Sequence, residues 1–158
     1  MKRIVALLLL LVLLPAAGVF AAKPIIRSDQ QYLDPTTGLY VLKGNVYIET
    51  GNRIITAGEA RVDMAGMEVW GNGGITLKQD DINFSGDSVY VYGTKKQADI
   101  SGKIRFSRSG LSIEADEASY NWKTKLAVFT GNVVIRRGDD VTRANRAVYN
   151  VVNNVFQE

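Results

Sequence analysis

The fold is decided by residues 98–106, Ala-Asp-Ile-Ser-Gly-Lys-Ile-Arg-Phe, in which apolar or small residues alternate with polar ones. Alternation with a period of two is typical of a β-strand that has one buried and one solvated face. Gly102 falls on the buried face in mid-strand, where packing is lost unless the strand bends or another backbone comes close. We therefore predict a strand with a corner at Gly102.

The same pattern occurs four times at a constant spacing. Gly44, Gly73, Gly102 and Gly131 are 29 residues apart, and each is followed at the second and fourth positions by an apolar pair. A repeat of constant length indicates that each unit is one supersecondary motif. Such a motif buries its apolar face only by stacking on its neighbours. We predict a single domain over residues 22–158, made of a half-unit (26–43) and four repeats (44–72, 73–101, 102–130 and 131–158).

Each unit has a second strand whose inward parity slips by one residue, as between Ala115 and Ala118. A one-residue β-bulge restores such a pattern. We expect it at the repeat-equivalent positions Gly58, Asp87, Asp116 and Asn145. Short polar turns separate the strands and impose antiparallel neighbours. The sequence therefore predicts an antiparallel meander of about nine long bent strands, or twice as many short ones, folded into two facing sheets with an apolar slot between them.

The first 21 residues have the order of a secretory signal peptide. Residues 1–3 are a basic start, residues 4–14 are apolar, and residues 15–21 are a run of mostly small residues. This order predicts export and cleavage near Ala21. The alternative is an uncleaved anchor, since residues 4–22 hold 19 uncharged residues and a membrane-spanning helix needs roughly 20.

The charge balance gives little support to a nucleic-acid partner. The chain has 19 Lys and Arg against 16 Asp and Glu. Removal of the leader takes away Lys2 and Arg3, which leaves 17 against 16. A nearly neutral mature chain lacks the electrostatic footprint of a nucleic-acid-binding protein, and we expect no such partner.

The chemistry of most enzymes is missing from this composition. The chain has no His and no Cys, so imidazole, thiolate nucleophiles and disulfides are unavailable. The conspicuous carboxylates Glu114, Asp116 and Glu117 stand where the next repeat has Arg143 and Arg146 at the outer two positions. Exchange of Glu for Arg between equivalent units indicates a solvated outer face. We expect no enzyme, no cofactor and no metal site.

The inward stripe of the strands has two interpretations. Its apolar side chains are a packed core, or they line an incompletely filled slot for acyl chains, since small residues occupy several inward positions of every unit. We take the slot as the candidate lipid-binding site. Its residues are Leu42, Val46, Ile48, Ile55, Ile75, Leu77, Phe84, Ile100, Ile104, Phe106, Ile113, Phe129, Val133 and Ile135.

Four motifs resemble one family. They are residues 26–31 (Ile-Arg-Ser-Asp-Gln-Gln), 42–46 (Leu-Lys-Gly-Asn-Val), 129–133 (Phe-Thr-Gly-Asn-Val) and 115–120 (Ala-Asp-Glu-Ala-Ser-Tyr). Together they look like the OstA-like, LptA-type periplasmic proteins of lipopolysaccharide transport. The resemblance covers about residues 25–157.

The resemblance implies a repeat-built antiparallel β jelly roll: a twisted, open-edged two-sheet sandwich whose apolar interior holds the acyl chains of lipopolysaccharide. It also implies a periplasmic bridge from inner to outer membrane, made by head-to-tail assembly with like-folded partners, which include an inner-membrane anchored component and an outer-membrane transport component. Exposed edge strands would be the means of assembly. The expected edge residues are Ile26, Arg27, Ser28, Asp29, Gln30, Gln31, Tyr149, Val151, Val155 and Phe156.

Three other functions remain open at this point. An anchored relative of the LptC type shares the implied fold, and the choice depends on whether the leader is cleaved. A structural, adhesin-like β-repeat module with a closed core would bind no lipid. A hydrolase is the most distant of the three, because no nucleophile with an oriented base can be assembled from the residues present.

Overall fold

The computed structural model describes residues 25–157. All secondary-structure elements within this range are β-strands. The predicted signal peptide, residues 1–21, lies outside this range. No helix within residues 25–157 is long and apolar enough to cross a membrane. The strands are β1 (Ile25–Arg27), β2 (Gln30–Leu33), β3 (Tyr40–Thr50), β4 (Arg53–Asp63), β5 (Glu68–Asn72), β6 (Ile75–Gln79), β7 (Ile82–Gly86), β8 (Ser88–Tyr92), β9 (Gln97–Arg108), β10 (Leu111–Asn121), β11 (Leu126–Arg137), β12 (Asp140–Asn150) and β13 (Val155–Gln157).

The 13 strands form one antiparallel sheet whose order follows the chain. β4 pairs with both β5 and β6, and β9 pairs with both β7 and β8, so these short strands are the two halves of bent strands. β1 and β2 lie in the same way along β3. Counting each such couple once gives nine long bent strands and the short β13. The all-β, antiparallel fold class is therefore confirmed.

Each corner is made by a glycine and the residue that follows it, both with positive φ. At the last corner Gly131 has φ 78° and Asn132 has φ 48°. A Cβ on Gly131 would lie 2.6 Å from Oδ2 of Asp116, and that carboxylate accepts a hydrogen bond of 2.7 Å from Nδ2 of Asn132. Only glycine fits a left-handed position this close to a neighbouring side chain. The other corners are Gly44 with Asn45, Gly73 with Gly74, and Gly102 with Lys103.

The predicted bulge was placed on the wrong strand. Ala115 pairs with Ile104 and Glu117 pairs with Ser101, so two residues of β9 face the single residue Asp116 of β10. The extra residue therefore belongs to the glycine strand, where positive φ at two successive residues accommodates it. The parity slip in β10 is present, but it results from the longer opposing strand. The residues expected to bulge, Gly58, Asp87, Asp116 and Asn145, lie opposite the corners instead.

The interior holds two apolar clusters that join along their length. One is built around Ile104, Ile113 and Phe129, and the other around Leu42 and Val62, all between 0% and 1% exposed. Val89 and Ala98 pack against both clusters, so the interior is continuous. No polar or charged side chain among the described residues is fully buried. The division into a half-unit and four repeats stays a prediction.

Candidate functional site

All of the predicted slot residues face the interior, but to two different depths. Ten are buried, with exposures of 9% or less, and four are half-buried. The buried ones are Leu42, Val46, Ile48, Ile75, Ile100, Ile104, Phe106, Ile113, Phe129 and Val133. The half-buried ones are Ile55, Leu77, Phe84 and Ile135.

The half-buried residues belong to a single row that crosses the sheet. Ile55 pairs with Leu77, and Leu77 pairs with Phe84. The row continues from Phe84 through Phe106 and on to Ile135. It runs beside the turns at residues 51–52, 80–81, 109–110 and 138–139, which we call the arginine rim. The interior is thus partly open to solvent along this rim and closed deeper in.

Arg53 stands on the inner face at this rim, two residues before Ile55. Its Nε donates a hydrogen bond of 2.6 Å to Oε1 of Gln79. Burial lowers the pKa of Arg53, while the nearby Tyr120 and Asp80 oppose that shift. Burial likewise raises the pKa of Tyr120. The rim therefore carries a half-buried cation directly above the apolar row.

Arg108 is a second inward arginine, two residues beyond Phe106. Its Nη1 donates to the carbonyl of Val151 at 2.6 Å and to the hydroxyl of Tyr149 at 3.3 Å. Its Nε lies 3.3 Å from Oδ2 of Asp81, and its side chain is 17% exposed. Burial opposes the charge, but hydrogen bonds with Tyr149 and Asp81 outweigh it and raise the pKa of Arg108. Arg108 stays cationic. It joins the arginine rim to the turns at the other ends of the strands, residues 64–67, 93–96, 122–125 and 151–154, which we call the opposite rim.

The hydrogen-bonded groups around Arg53 and around Arg108 involve equivalent positions of the repeat. Gln79 and Arg108 are 29 residues apart, and so are Tyr120 and Tyr149. In the later unit Arg108 itself reaches Tyr149, whereas in the earlier one Arg53 supplies the cation beside Gln79. Neither arginine was assigned to the site from the sequence. Their spacing of two from Ile55 and Phe106 was the signal for inward orientation.

Most of the predicted edge residues lie on strands with one unpaired side. Residues 26–27 lie in β1 and residues 30–31 in β2, which pair only with β3 among the described strands, and Ser28 and Asp29 connect the two. Val155 and Phe156 lie in β13, which pairs only with β12.

Two residues predicted at the C-terminal edge lie elsewhere. Tyr149 is 0% exposed and its backbone pairs with both β11 and β13, so it is a core residue. Val151 lies in the turn after β12.

Residues 140–147 are a further unpaired edge, which sequence reasoning missed. This part of β12 pairs with β11 alone within residues 25–157. Exposed apolar side chains concentrate at the two edges, although such residues are normally scattered over a surface. Within residues 25–157, the large hydrophobic residues that are exposed belong to the first two strands or to residues 141–155: Ile25, Tyr32, Leu33, Val141, Val152 and Val155.

Comparisons with known proteins agree with this geometry. Residues 112–154 match the family model described as LptA/(LptD N-terminal domain) LPS transport protein. A crystal structure of LptH, the LptA homologous periplasmic component of the lipopolysaccharide transport device of Pseudomonas aeruginosa, shares the fold with a TM-score of 0.53. Residues 112–154 therefore resemble the LptA and LptD N-terminal family, and the chain shares the fold of LptH. The structural match has 18% identity and covers 62% of this chain and 75% of LptH. A search of curated proteins finds no significant match.

Proposed function

We propose that this chain is a periplasmic lipopolysaccharide-transport protein whose interior binds the acyl chains of the lipid. The observation that carries the proposal is the apolar row from Ile55 to Ile135, which is half-buried at both ends and at Leu77 and Phe84, and which is bordered by the inward cations Arg53 and Arg108. An apolar surface next to fixed cations suits an amphiphile with an anionic headgroup. The matched family is a transport family, and transport requires no bond to be made or broken.

The buried interior residues already pack against one another, so acyl chains must replace existing contacts. For the protein this exchanges one apolar contact for another of similar strength. The gain comes from the lipid, since each CH₂ removed from water contributes about 0.8 kcal/mol. Entry along the arginine rim requires the least rearrangement, because four residues of the row are already partly exposed there. A structural module with a permanently closed core is the alternative.

Site-specific photo-crosslinking in a Gram-negative cell tests the lipid path. Phe84 is replaced with p-benzoyl-phenylalanine, which resembles it in shape, and the matched control places the probe at the adjacent, exposed Asn83. We expect a lipopolysaccharide adduct at position 84 and none at position 83. A folded, exported protein without an adduct at position 84 would establish the closed-core alternative.

We further propose that the chain assembles end to end with like-folded partners, itself or membrane-bound transport components. Strands β1 and β2 at one end and residues 140–147 at the other have unpaired backbone groups, as strand addition requires. The exposed apolar side chains at both edges, such as Leu33 at 51% and Val141 at 50%, would be buried in such a contact.

Concentration-dependent light scattering tests self-assembly. The wild-type chain is expected to grow in mass with concentration, and Val141→Glu to stay monomeric, because a charge opposes burial of the edge. Thr124→Glu, an exposed substitution away from both edges, is the control and should assemble like the wild type. A wild type that is monomeric at all concentrations would disprove assembly of this chain with itself.

A further inference from the structure

The outer face of the sheet carries a groove that the proposed transport function does not use. It has a volume of about 530 Å³, within the range of small-ligand sites. Strands β5, β8, β9, β10 and β11 cross it, and one directly paired residue from each forms a row along it: Trp70, Tyr90, Asp99, Ser119 and Val128. At roughly 4.8 Å per strand the row is about 19 Å long.

One end of the groove is an aromatic platform. The rings of Trp70 and Tyr90 are stacked, with centroids 5.0 Å apart and planes at 14°. The ring of Tyr92 adjoins that of Tyr90 at 3.9 Å. Trp70, Tyr90 and Tyr92 belong to neither interior cluster. The stack covers one face of each ring, and an uncovered aromatic face with polar atoms at its border is suited to the C–H face of a sugar ring.

The rest of the groove offers hydrogen-bonding groups at regular intervals. A second row, parallel to the first, consists of Ser88, Ser101, Glu117 and Thr130, each paired with the next across the sheet. The hydroxyls of Ser88 and Ser101 lie 2.8 Å apart and bond to each other. Hydroxyls both donate and accept, and carboxylates accept, which matches the alternating donors and acceptors of sugar hydroxyls.

The charge of the groove restricts the kind of ligand. Its charged lining residues are the two carboxylates Asp99 and Glu117, and no lysine or arginine lines it. A phosphorylated or acidic ligand would be repelled there. We propose that this groove binds a neutral or amino saccharide, with Trp70 and Tyr90 as the stacking platform and Asp99 and Ser119 as hydrogen-bonding partners.

The groove and the lipid interior are separated by the sheet itself. Asp99 and Ser119 point to the outer face, while their neighbours Ile100 and Ala118 are buried inside. An acyl chain in the interior therefore cannot occupy the groove. The saccharide can come from the cell-wall glycan or from the sugar portion of a lipopolysaccharide, and the proposal does not rest on transport.

Intrinsic fluorescence can test the proposal because the chain has two tryptophans. In a Trp122→Phe variant of the full mature chain, Trp70 is the sole indole. Two probes are titrated separately: the tetramer of N-acetylglucosamine and an uncharged oligosaccharide from the outer sugars of lipopolysaccharide, free of lipid, phosphate and acidic sugars. We expect a saturable shift in emission with at least one probe, and the probe that works identifies the source. The converse variant, Trp70→Phe, keeps Trp122 as a reporter outside the groove and should show no shift.

A second variant separates binding from folding. Ser119→Arg obstructs the middle of the groove without touching the aromatic rings, and we expect it to weaken saccharide binding about tenfold or more. The lipid adduct at position 84 should be unchanged in this variant, so failure of the groove and failure of the transport function are distinguishable. No emission change at millimolar concentrations of both probes, or equal binding by Ser119→Arg, would overturn the proposal.

Discussion

Arg108 donates a hydrogen bond of 3.3 Å to the hydroxyl of Tyr149, 41 residues later in the chain. The hydroxyl of Tyr149 in turn donates to Oδ1 of Asn154 at 2.7 Å. The guanidinium also meets the carbonyl of Val151. These bonds connect the arginine rim to the opposite rim, so they hold the two ends of the strands together beside Phe106.

Replacement of Arg108 by Met should therefore destabilise the fold. The variant keeps the aliphatic contacts but loses bonds to a charged donor, each of which contributes about 1.5–3 kcal/mol. We expect a loss of this size in the free energy of unfolding by urea. The control is Arg136→Ala, which breaks the exposed pair with Glu114 and should cost less than about 1 kcal/mol. Equal losses in the two variants would contradict a special role for Arg108.

Gly131→Ala should be among the most damaging small substitutions. The left-handed φ of 78° costs a residue with a Cβ about 1–2 kcal/mol, and the new methyl would stand 2.6 Å from Asp116. Gly110→Ala is the matched control, since its φ is 71° but nothing lies within 4 Å of a Cβ there. Thermal unfolding should show the larger loss at Gly131. Adding Asp116→Gly should recover the part of the loss caused by the contact, and no recovery would disprove it.

The headgroup preference of the interior should depend on Arg53. Arg53→Gln removes the cation above the apolar row and is expected to weaken binding of phosphorylated lipid A about tenfold, or about 1.4 kcal/mol. Binding of the dephosphorylated lipid should change little. Lys123→Gln, on an exposed turn of the opposite rim, serves as the control. If Arg53→Gln weakened binding of both lipids equally, Arg53 would have a structural role only.

Acidification should weaken the ion pair between Arg108 and Asp81. Burial alone would raise the pKa of this carboxyl, but hydrogen bonds from Arg108 and Ser109 outweigh it and lower the pKa below the ordinary value of 3.8. A carboxyl with a lowered pKa stabilises the fold above the pKa of the unfolded chain, and this contribution disappears as the pH falls through the folded pKa. Unfolding measured from pH 6 to pH 2 should show a smaller acid loss in Asp81→Asn than in the wild type. Identical profiles would contradict the assignment.

The sequence predicted those features that depend on period alone. Strand alternation placed Phe106 and Ile135 on the inner face, and the constant spacing of glycine located the corners at Gly102 and Gly131. It could not say which of two facing strands holds the extra residue, because either choice restores the parity. It also could not identify Tyr149 as a core residue, because the turn into β13 that covers it depends on tertiary packing.

The corners also determine how the molecule can change in length. Each glycine corner meets a residue that precedes it by 15 positions, Gly44 with Asp29 and Gly131 with Asp116, so every corner is completed inside a fixed interval of sequence. Duplication or deletion of a whole 29-residue unit preserves every such pair, whereas an insertion between the two members of a pair separates them. One unit adds two strands, or roughly 10 Å. The length of the sheet would therefore change in evolution by whole 29-residue units.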